Sequence, residues 1–134
     1  MKPSRAVLLI VDDDELLATK IAELVRMDGY QAVIANDGFG ALRIIDGGMR
    51  PDLILLDMHM DGVNGWDVAS ELKVSGLRIP VVVATGDPHP EECASQIAAD
   101  AWLGKPFGAN ELLSAVERVL ATKPSSPRFS SAEN

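Results

Sequence analysis

Asp12, Asp13, Asp14 and Glu15 follow a continuous apolar run, AVLLIV (Ala6–Val11), and Asp57 follows another, LILL (Leu53–Leu56). Thr85-Gly86 follow VVVA (Val81–Ala84), and Lys105-Pro106 follow AWLG (Ala101–Gly104). If the fold gathers the ends of these runs, Asp12, Asp13 and Asp57 crowd together with Lys105 as their positive partner. Like charges within about 4–6 Å raise each other's pKa values, and a bound cation removes that conflict. Hard carboxylate oxygens completed by water suit Mg²⁺, with Mn²⁺ as a substitute. With the metal screening it, the Asp57 carboxylate can act as a nucleophile toward a phosphoryl group. Lys105 can then place a point charge on one phosphoryl oxygen while the Thr85 hydroxyl donates to another. Backbone amides after Asp57 and at Gly86 can add donors. The Lys105–Pro106 bond is of the kind that can be cis.

Each group also has a plainer reading. The acidic run could only cap and charge the first helix. An aspartate after an apolar strand is a common turn residue, and Lys105-Pro106 could be a loop. The weight lies in finding all four groups in order, each at the end of an apolar run.

Those runs alternate with helical stripes. Short apolar runs bounded by polar residues predict strands buried on both faces: Ala6–Val11, Tyr30–Ala35, Leu53–Leu56, Val81–Ala84 opened by Pro80, and Ala101–Gly104. Helices are predicted from Asp14 to Met27, with Leu16, Leu17, Ile21, Leu24 and Val25 as the apolar stripe, and over Asp37–Asp46, Gly65–Val74, Glu91–Ala98 and Ala109–Ala121. In the last of these Leu112, Leu113, Val116, Val119 and Leu120 face inward, and Asn110 reads as its cap. Five strands alternating with five helices imply an α/β, doubly wound, five-stranded parallel sheet with right-handed crossovers and helices on both faces. Such sheets bind ligands at the carboxyl ends of their strands, where all four polar groups fall. Residues 5–121 read as one domain, and the Ser- and Pro-rich stretch over 122–134 as a disordered tail or the start of a linker.

Composition narrows the function classes. The chain has 134 residues, which fits one domain, and 47% apolar residues, enough for a core. Its formal net charge of -8 argues against broad contact with nucleic acid or an anionic membrane. No segment approaches the roughly 20 apolar residues of a membrane span. Cys93 is the only cysteine, so no intrachain disulfide can form, and a reducing, cytoplasmic compartment is expected. No His–Cys pattern surrounds it in sequence, so it reads as a packing residue.

The segments LLIVDDD (Leu8 to Asp14), PDLILLDMHMDGVNG (Pro51 to Gly65), PVVVATG (Pro80 to Gly86) and WLGKPF (Trp102 to Phe107) resemble the receiver domain of two-component response regulators, a flavodoxin-like fold. The resemblance implies that Asp57 accepts a phosphoryl group from a histidine kinase or histidine phosphotransfer protein. It implies that Asp12 and Asp13 hold Mg²⁺, Asp13 being the more direct ligand, with the His59 main-chain carbonyl as a third protein ligand. It implies that Thr85 and Lys105 contact the phosphoryl group, and that Thr85 couples to an aromatic switch at Trp102. The resemblance also implies that His59 and Asp87 occupy the positions that tune autodephosphorylation in that family. The output is binding to an unnamed downstream protein, as a monomer or a phosphorylation-dependent homodimer. Asp61 stands where receivers usually have proline, Gly86 where they have alanine, and Trp102 where they have Tyr or Phe. The stretch from Thr85 to Lys105 is shorter than the usual pattern, so a short or displaced fourth helix is expected.

Two other classes stay open at this level. One is a binding module that keeps the fold without using phosphorylation. The other is a small phosphatase with an aspartyl nucleophile, which needs an acid two residues after that nucleophile, where His59 stands. A flavodoxin-like cofactor binder would need a phosphate loop after the first strand, and the acidic run there repels phosphate.

Overall fold

The structure is a computed structural model that describes residues 6–122. Its elements alternate as β1 (Val7–Val11), α1 (Glu15–Met27), β2 (Gln31–Ala35), α2 (Gly38–Asp46), β3 (Leu53–Leu56), α3 (Gly65–Val74), β4 (Val81–Thr85), α4 (Pro90–Gln96), β5 (Ala101–Gly104) and α5 (Ala109–Thr122). The strands form one parallel sheet in the order β2-β1-β3-β4-β5. The α/β doubly wound expectation is met. The tail expected over 122–134 lies outside the described residues, except that Thr122 is the last residue of α5.

Alternation along the strands divides the core in two, because successive side chains point to opposite faces. Leu8, Ile10, Leu53, Leu55, Val82 and Ala84 pack with Ile21 and Val25 of α1 and with Leu112 and Val116 of α5. Leu9, Val11, Ile54, Leu56 and Val83 pack with Ile45 of α2, Val68 and Leu72 of α3, and Cys93 and Ala94 of α4. Both faces of the central strands are dry, which is why those strands read as unbroken apolar runs.

The element boundaries correct the sequence reading in several places. Asp14 and Asp37 precede their helices as caps: Asp14 Oδ1 accepts from the Leu17 amide at 3.1 Å, and Asp37 Oδ1 from the Gly40 amide at 2.6 Å. Ala6 and Tyr30 lie just outside β1 and β2. The α1 stripe omits Leu16, which is 86% exposed, and is completed by Ala18 and Ala22. Helix α4 begins at Pro90, whose missing N–H costs nothing in a first turn, and ends before Ala98, which has φ +55°. Asn110 is not the cap of α5. Gly108 precedes that helix, its carbonyl accepting from Leu112 and its amide donating to Glu111 Oε1 at 2.8 Å. Leu113 and Leu120 are only partly buried there, and Ala115 joins the inner face.

Tyr30 is 3% exposed, and its hydroxyl has no hydrogen-bond partner among the described residues. A buried, unpaired polar group costs about 1–3 kcal/mol. Tyr30→Phe should therefore leave stability unchanged or raise it by about 1 kcal/mol at neutral pH. The two proteins should diverge further in alkali. Burial first, then the charges of Asp28 and Glu117, hold the Tyr30 pKa above its ordinary value. A group raised in the folded state loses its stabilising contribution as pH climbs past its unfolded pKa of about 10. The wild type should thus weaken more steeply than Tyr30→Phe above that pH in urea melts, and parallel curves would contradict this.

Candidate functional site

The sheet register brings the acids together. Val11 pairs with Leu56 at the ends of β1 and β3, so Asp12 and Asp57 leave the sheet side by side. Their own amides extend the ladder: Asp57 N–H donates to the Val11 carbonyl at 3.0 Å, and Asp12 N–H to the Ala35 carbonyl at 3.1 Å. Asp12, Asp57 and Thr85 are the buried polar residues among those described. One carboxylate oxygen from each of Asp12, Asp13 and Asp57 lies within 4.8 Å of the others, a spacing that a small cation can bridge. Asp13 is exposed at the rim, whereas Asp12 and Asp57 are inside.

Lys105 enters from the end of β5. Its Nζ lies 2.8 Å from Asp12 Oδ2 and 3.3 Å from Asp57 Oδ2. Its amide donates to the Thr85 carbonyl at 2.8 Å, and the Lys105–Pro106 peptide is cis. Burial raises the Asp57 pKa, Lys105 opposes this, and Asp12 adds to it; the balance stays above the ordinary aspartate value. For Lys105, burial pulls the ammonium down, but its bonds to Asp12 and Asp57 outweigh burial and hold the pKa above the usual lysine range. One lysine therefore offsets two buried carboxylates incompletely. The acids retain a need for positive charge, and these residues fit a divalent ion.

The loop after β3 is held tightly. Gly65 N–H donates to the Met58 carbonyl at 3.0 Å, and a Cβ on Gly65 would come within 2.7 Å of the Asp57 carbonyl oxygen. Only glycine lets α3 start this close to the end of β3. A reciprocal capping box between Asn64 and Asp67 fixes that start. Gly62, at φ +75°, makes the turn beside Asp61.

Thr85 ends β4, opposite Gly104, and its Oγ1 accepts from the Asp87 amide at 3.2 Å. Trp102 pairs with Val83 on β5 and is 48% exposed, so its ring lies at the surface. The His59 amide donates to Asp57 Oδ1 at 3.4 Å, but the imidazole turns elsewhere. Its Nε2 lies 2.5 Å from Asp87 Oδ2, and its ring meets Trp66 edge-on at 5.2 Å. Trp66 is anchored in turn by a 2.8 Å bond from Nε1 to Gln96 Oε1.

Cys93 packs in the core as expected, 3% exposed among Val83, Val68 and Ala94. In space it also has histidine and carboxylate neighbours, because α4 lies beside the loop after β3. His59, Asp87 and Cys93 each place one ligand-type atom within 4.8 Å of the others. No local pattern could reveal this, since the three residues come from three different segments.

Residues 8–117 match the family of the response regulator receiver domain. The chain belongs to that family. Among curated proteins, this receiver domain is 34% identical to the sensory transduction protein RegX3 of Mycobacterium tuberculosis over 113 residues, 84% of this chain and 49% of that protein. It is also 34% identical to the DNA-binding response regulator MtrA of the same organism over 128 residues, 95% of this chain and 56% of that protein. The receiver domain thus spans about half the length of the curated relatives it matches. In structure it is similar to the response regulator TrrA of Thermotoga maritima, solved in complex with Mg²⁺ and BeF, with a TM-score of 0.76 and 29% identity over 85% of this chain and 98% of that one. No helix among the described residues is long and apolar enough to cross a membrane.

Proposed function

We propose that this receiver domain is a Mg²⁺-dependent phosphoacceptor whose nucleophile is Asp57. The observation that carries the proposal is a buried aspartate held between a second acid and a lysine at the carboxyl ends of parallel strands. Asp12, Asp13 and the Asp57 carboxylate would hold the ion, with the His59 main-chain carbonyl as a further ligand. When bound, Mg²⁺, or Mn²⁺ in its place, supplies positive charge against both the carboxylates and the incoming phosphoryl oxygens.

The protein's own groups do the rest. An Asp57 carboxylate oxygen attacks phosphorus; the new O–P bond forms as the N–P bond to the donor's histidine breaks, and the imidazole nitrogen takes up a proton from solvent. Lys105 Nζ, already against Asp57 Oδ2, turns to a phosphoryl oxygen once charge builds there. The Thr85 hydroxyl, which now only accepts from Asp87, has its proton free to donate to another. That shift of Thr85 is coupled to inward movement of the Trp102 ring, and β5 with its neighbours presents the change to a downstream protein. His59 and Asp87 flank the bound phosphoryl group and govern how readily water removes it.

The donor class is a histidine kinase or a histidine phosphotransfer protein. The receiver unit is taken to cover residues 5–121, with α5 running one residue further. The domain catalyses only its own phosphorylation and dephosphorylation and acts as a signalling switch.

The proposal is tested with acetyl phosphate carrying labelled phosphorus. Labelling in Mg²⁺, its loss on chelation, and a change in tryptophan fluorescence on adding beryllofluoride with Mg²⁺ are the expected results. A protein that takes no label and gives no spectral or structural response to beryllofluoride would instead be a phosphorylation-independent binding module.

A further inference from the structure

His59, Asp87 and Cys93 form a three-residue cluster of unlike donors outside the acidic site. An imidazole nitrogen, a carboxylate oxygen and a thiol sulfur converge within 4.8 Å. Mixed N, O and S donors of this kind suit a borderline-soft ion such as Zn²⁺, whereas the all-oxygen set of Asp12, Asp13 and Asp57 suits Mg²⁺. The cluster also has the access and the support a metal site requires. It runs from solvent to core: the His59 side chain is 58% exposed, that of Asp87 19%, and Cys93 is 3% exposed.

Outer contacts aim two of the three donors, His59 and Asp87. The His59 ring is braced by Trp66, which Gln96 anchors. Asp87 Oδ1 accepts from the His89 amide at 2.8 Å, which leaves Oδ2 for the cluster. Cys93 sits in the first turns of α4, with its thiol sulfur within 4.8 Å of an Asp87 carboxylate oxygen. Partners of this type orient metal ligands in known sites.

We propose that His59, Asp87 and Cys93 are a second cation site, selective for Zn²⁺-like ions, that fastens the acceptor loop to α4. Tetrahedral ligands at about 2.0–2.3 Å from zinc stand about 3.3–3.8 Å apart. The His59–Asp87 pair must therefore open by roughly 1 Å, a movement open to a largely exposed imidazole. Binding replaces the Cys93 thiol proton, which passes to solvent, and the zinc–sulfur bond takes its place. The fourth position is left for water. Occupancy ties the loop after β3, the start of α4 and the residue two beyond Thr85 into one unit, so ion availability becomes an input separate from phosphorylation.

The test is a Zn²⁺ titration of the full chain against a chromophoric chelator in excess Mg²⁺, which keeps the acidic site occupied. One equivalent is expected. His59→Ala and Cys93→Ser should each weaken binding roughly tenfold or more, as even outer-contact losses do at metal sites, and Asp57→Asn should leave it intact. Co²⁺ in place of Zn²⁺ should give a thiolate-to-cobalt charge-transfer band that Cys93→Ser removes. If Cys93→Ser fails to fold, the exposed His59→Ala variant and the wild-type cobalt band still decide the matter. Zinc affinity unchanged in His59→Ala, absence of the band in wild type, or loss of binding in Asp57→Asn or in Mg²⁺ would overturn the site. None of these readouts needs a phosphoryl group, so they fail or succeed independently of the phosphoacceptor reading.

Discussion

Asp57→Asn should abolish labelling by acetyl phosphate and, in the same protein, raise the melting temperature of the metal-free form. The first effect follows from the proposed role of Asp57: an amide oxygen of the same shape cannot form the acyl phosphate. The second follows from the electrostatics. Burial and the neighbouring Asp12 lift the folded-state pKa of Asp57 despite Lys105. A carboxyl raised in the folded state contributes its stability below the unfolded pKa of about 3.9, and that contribution is lost as pH rises through the folded value. At neutral pH the ionised Asp57 therefore weakens the metal-free fold, and asparagine does not. The advantage of the variant should shrink as pH falls toward 4. Magnesium should reverse the ranking, since a ligand of the native state stabilises by about 2.7 kcal/mol at 100 times its Kd, and the variant has lost one of its ligands. Thermal melts with chelator and with Mg²⁺ check both halves. A metal-free Asp57→Asn protein that melts below wild type would mean that the attraction to Lys105 outweighs burial.

Lys105→Met should do the opposite. Lys105 is the cation that meets Asp12 and Asp57 among the described residues, and all three side chains are less than a quarter exposed. Removing one partner of a buried ion pair typically costs 3–5 kcal/mol, roughly, because it strands the other charge. Here it strands two acids against each other. A loss of about 3 kcal/mol in chelator at neutral pH is expected, with much of it recovered in Mg²⁺. Mild acid should also recover part of it, as one carboxyl takes up a proton. Labelling of Asp57 should fall by about 100-fold even with the ion bound, the usual cost of one missing charge-stabilising donor. Denaturant melts indistinguishable from wild type in chelator would refute the stability argument, and unimpaired labelling would remove Lys105 from the chemistry.

How far the sequence could be read follows from where each signal resides. Leu53–Leu56 and Val81–Ala84 were legible as strands because both faces of a central parallel strand are buried, leaving no polar interruption. Asp57 and Lys105 were legible because an acid or base directly after such a run has one place to go, the carboxyl end of the sheet. The helix boundaries were less legible. Asn110 is a good cap by type but lies inside α5, which starts at Ala109 as its stripe predicts, with Glu111 reaching back to the Gly108 amide just before it. Leu16 fits a 3.6-residue stripe yet falls beyond its edge, since periodicity marks a stripe's centre better than its width. The pairing of Cys93 with His59 and Asp87 had no local signal at all. It exists only because α4 packs against the sheet next to the loop after β3.

Helix α4 has a consequence for how such a switch could be set. It is seven residues long, opens on Pro90, and has no side-chain cap. A helix of that length has no standing of its own in water; its conformation is decided by what it rests on. Cys93 and Ala94 hold it to the sheet, and little else on it is buried. Its placement therefore rests on those two contacts more than on its own hydrogen bonds. Reversing a 99:1 population takes about 5.5 kcal/mol of differential binding, an amount that a few charge-assisted hydrogen bonds at the neighbouring strand ends can supply. The shortest helix is thus the element whose conformation depends most on what lies at the neighbouring strand ends.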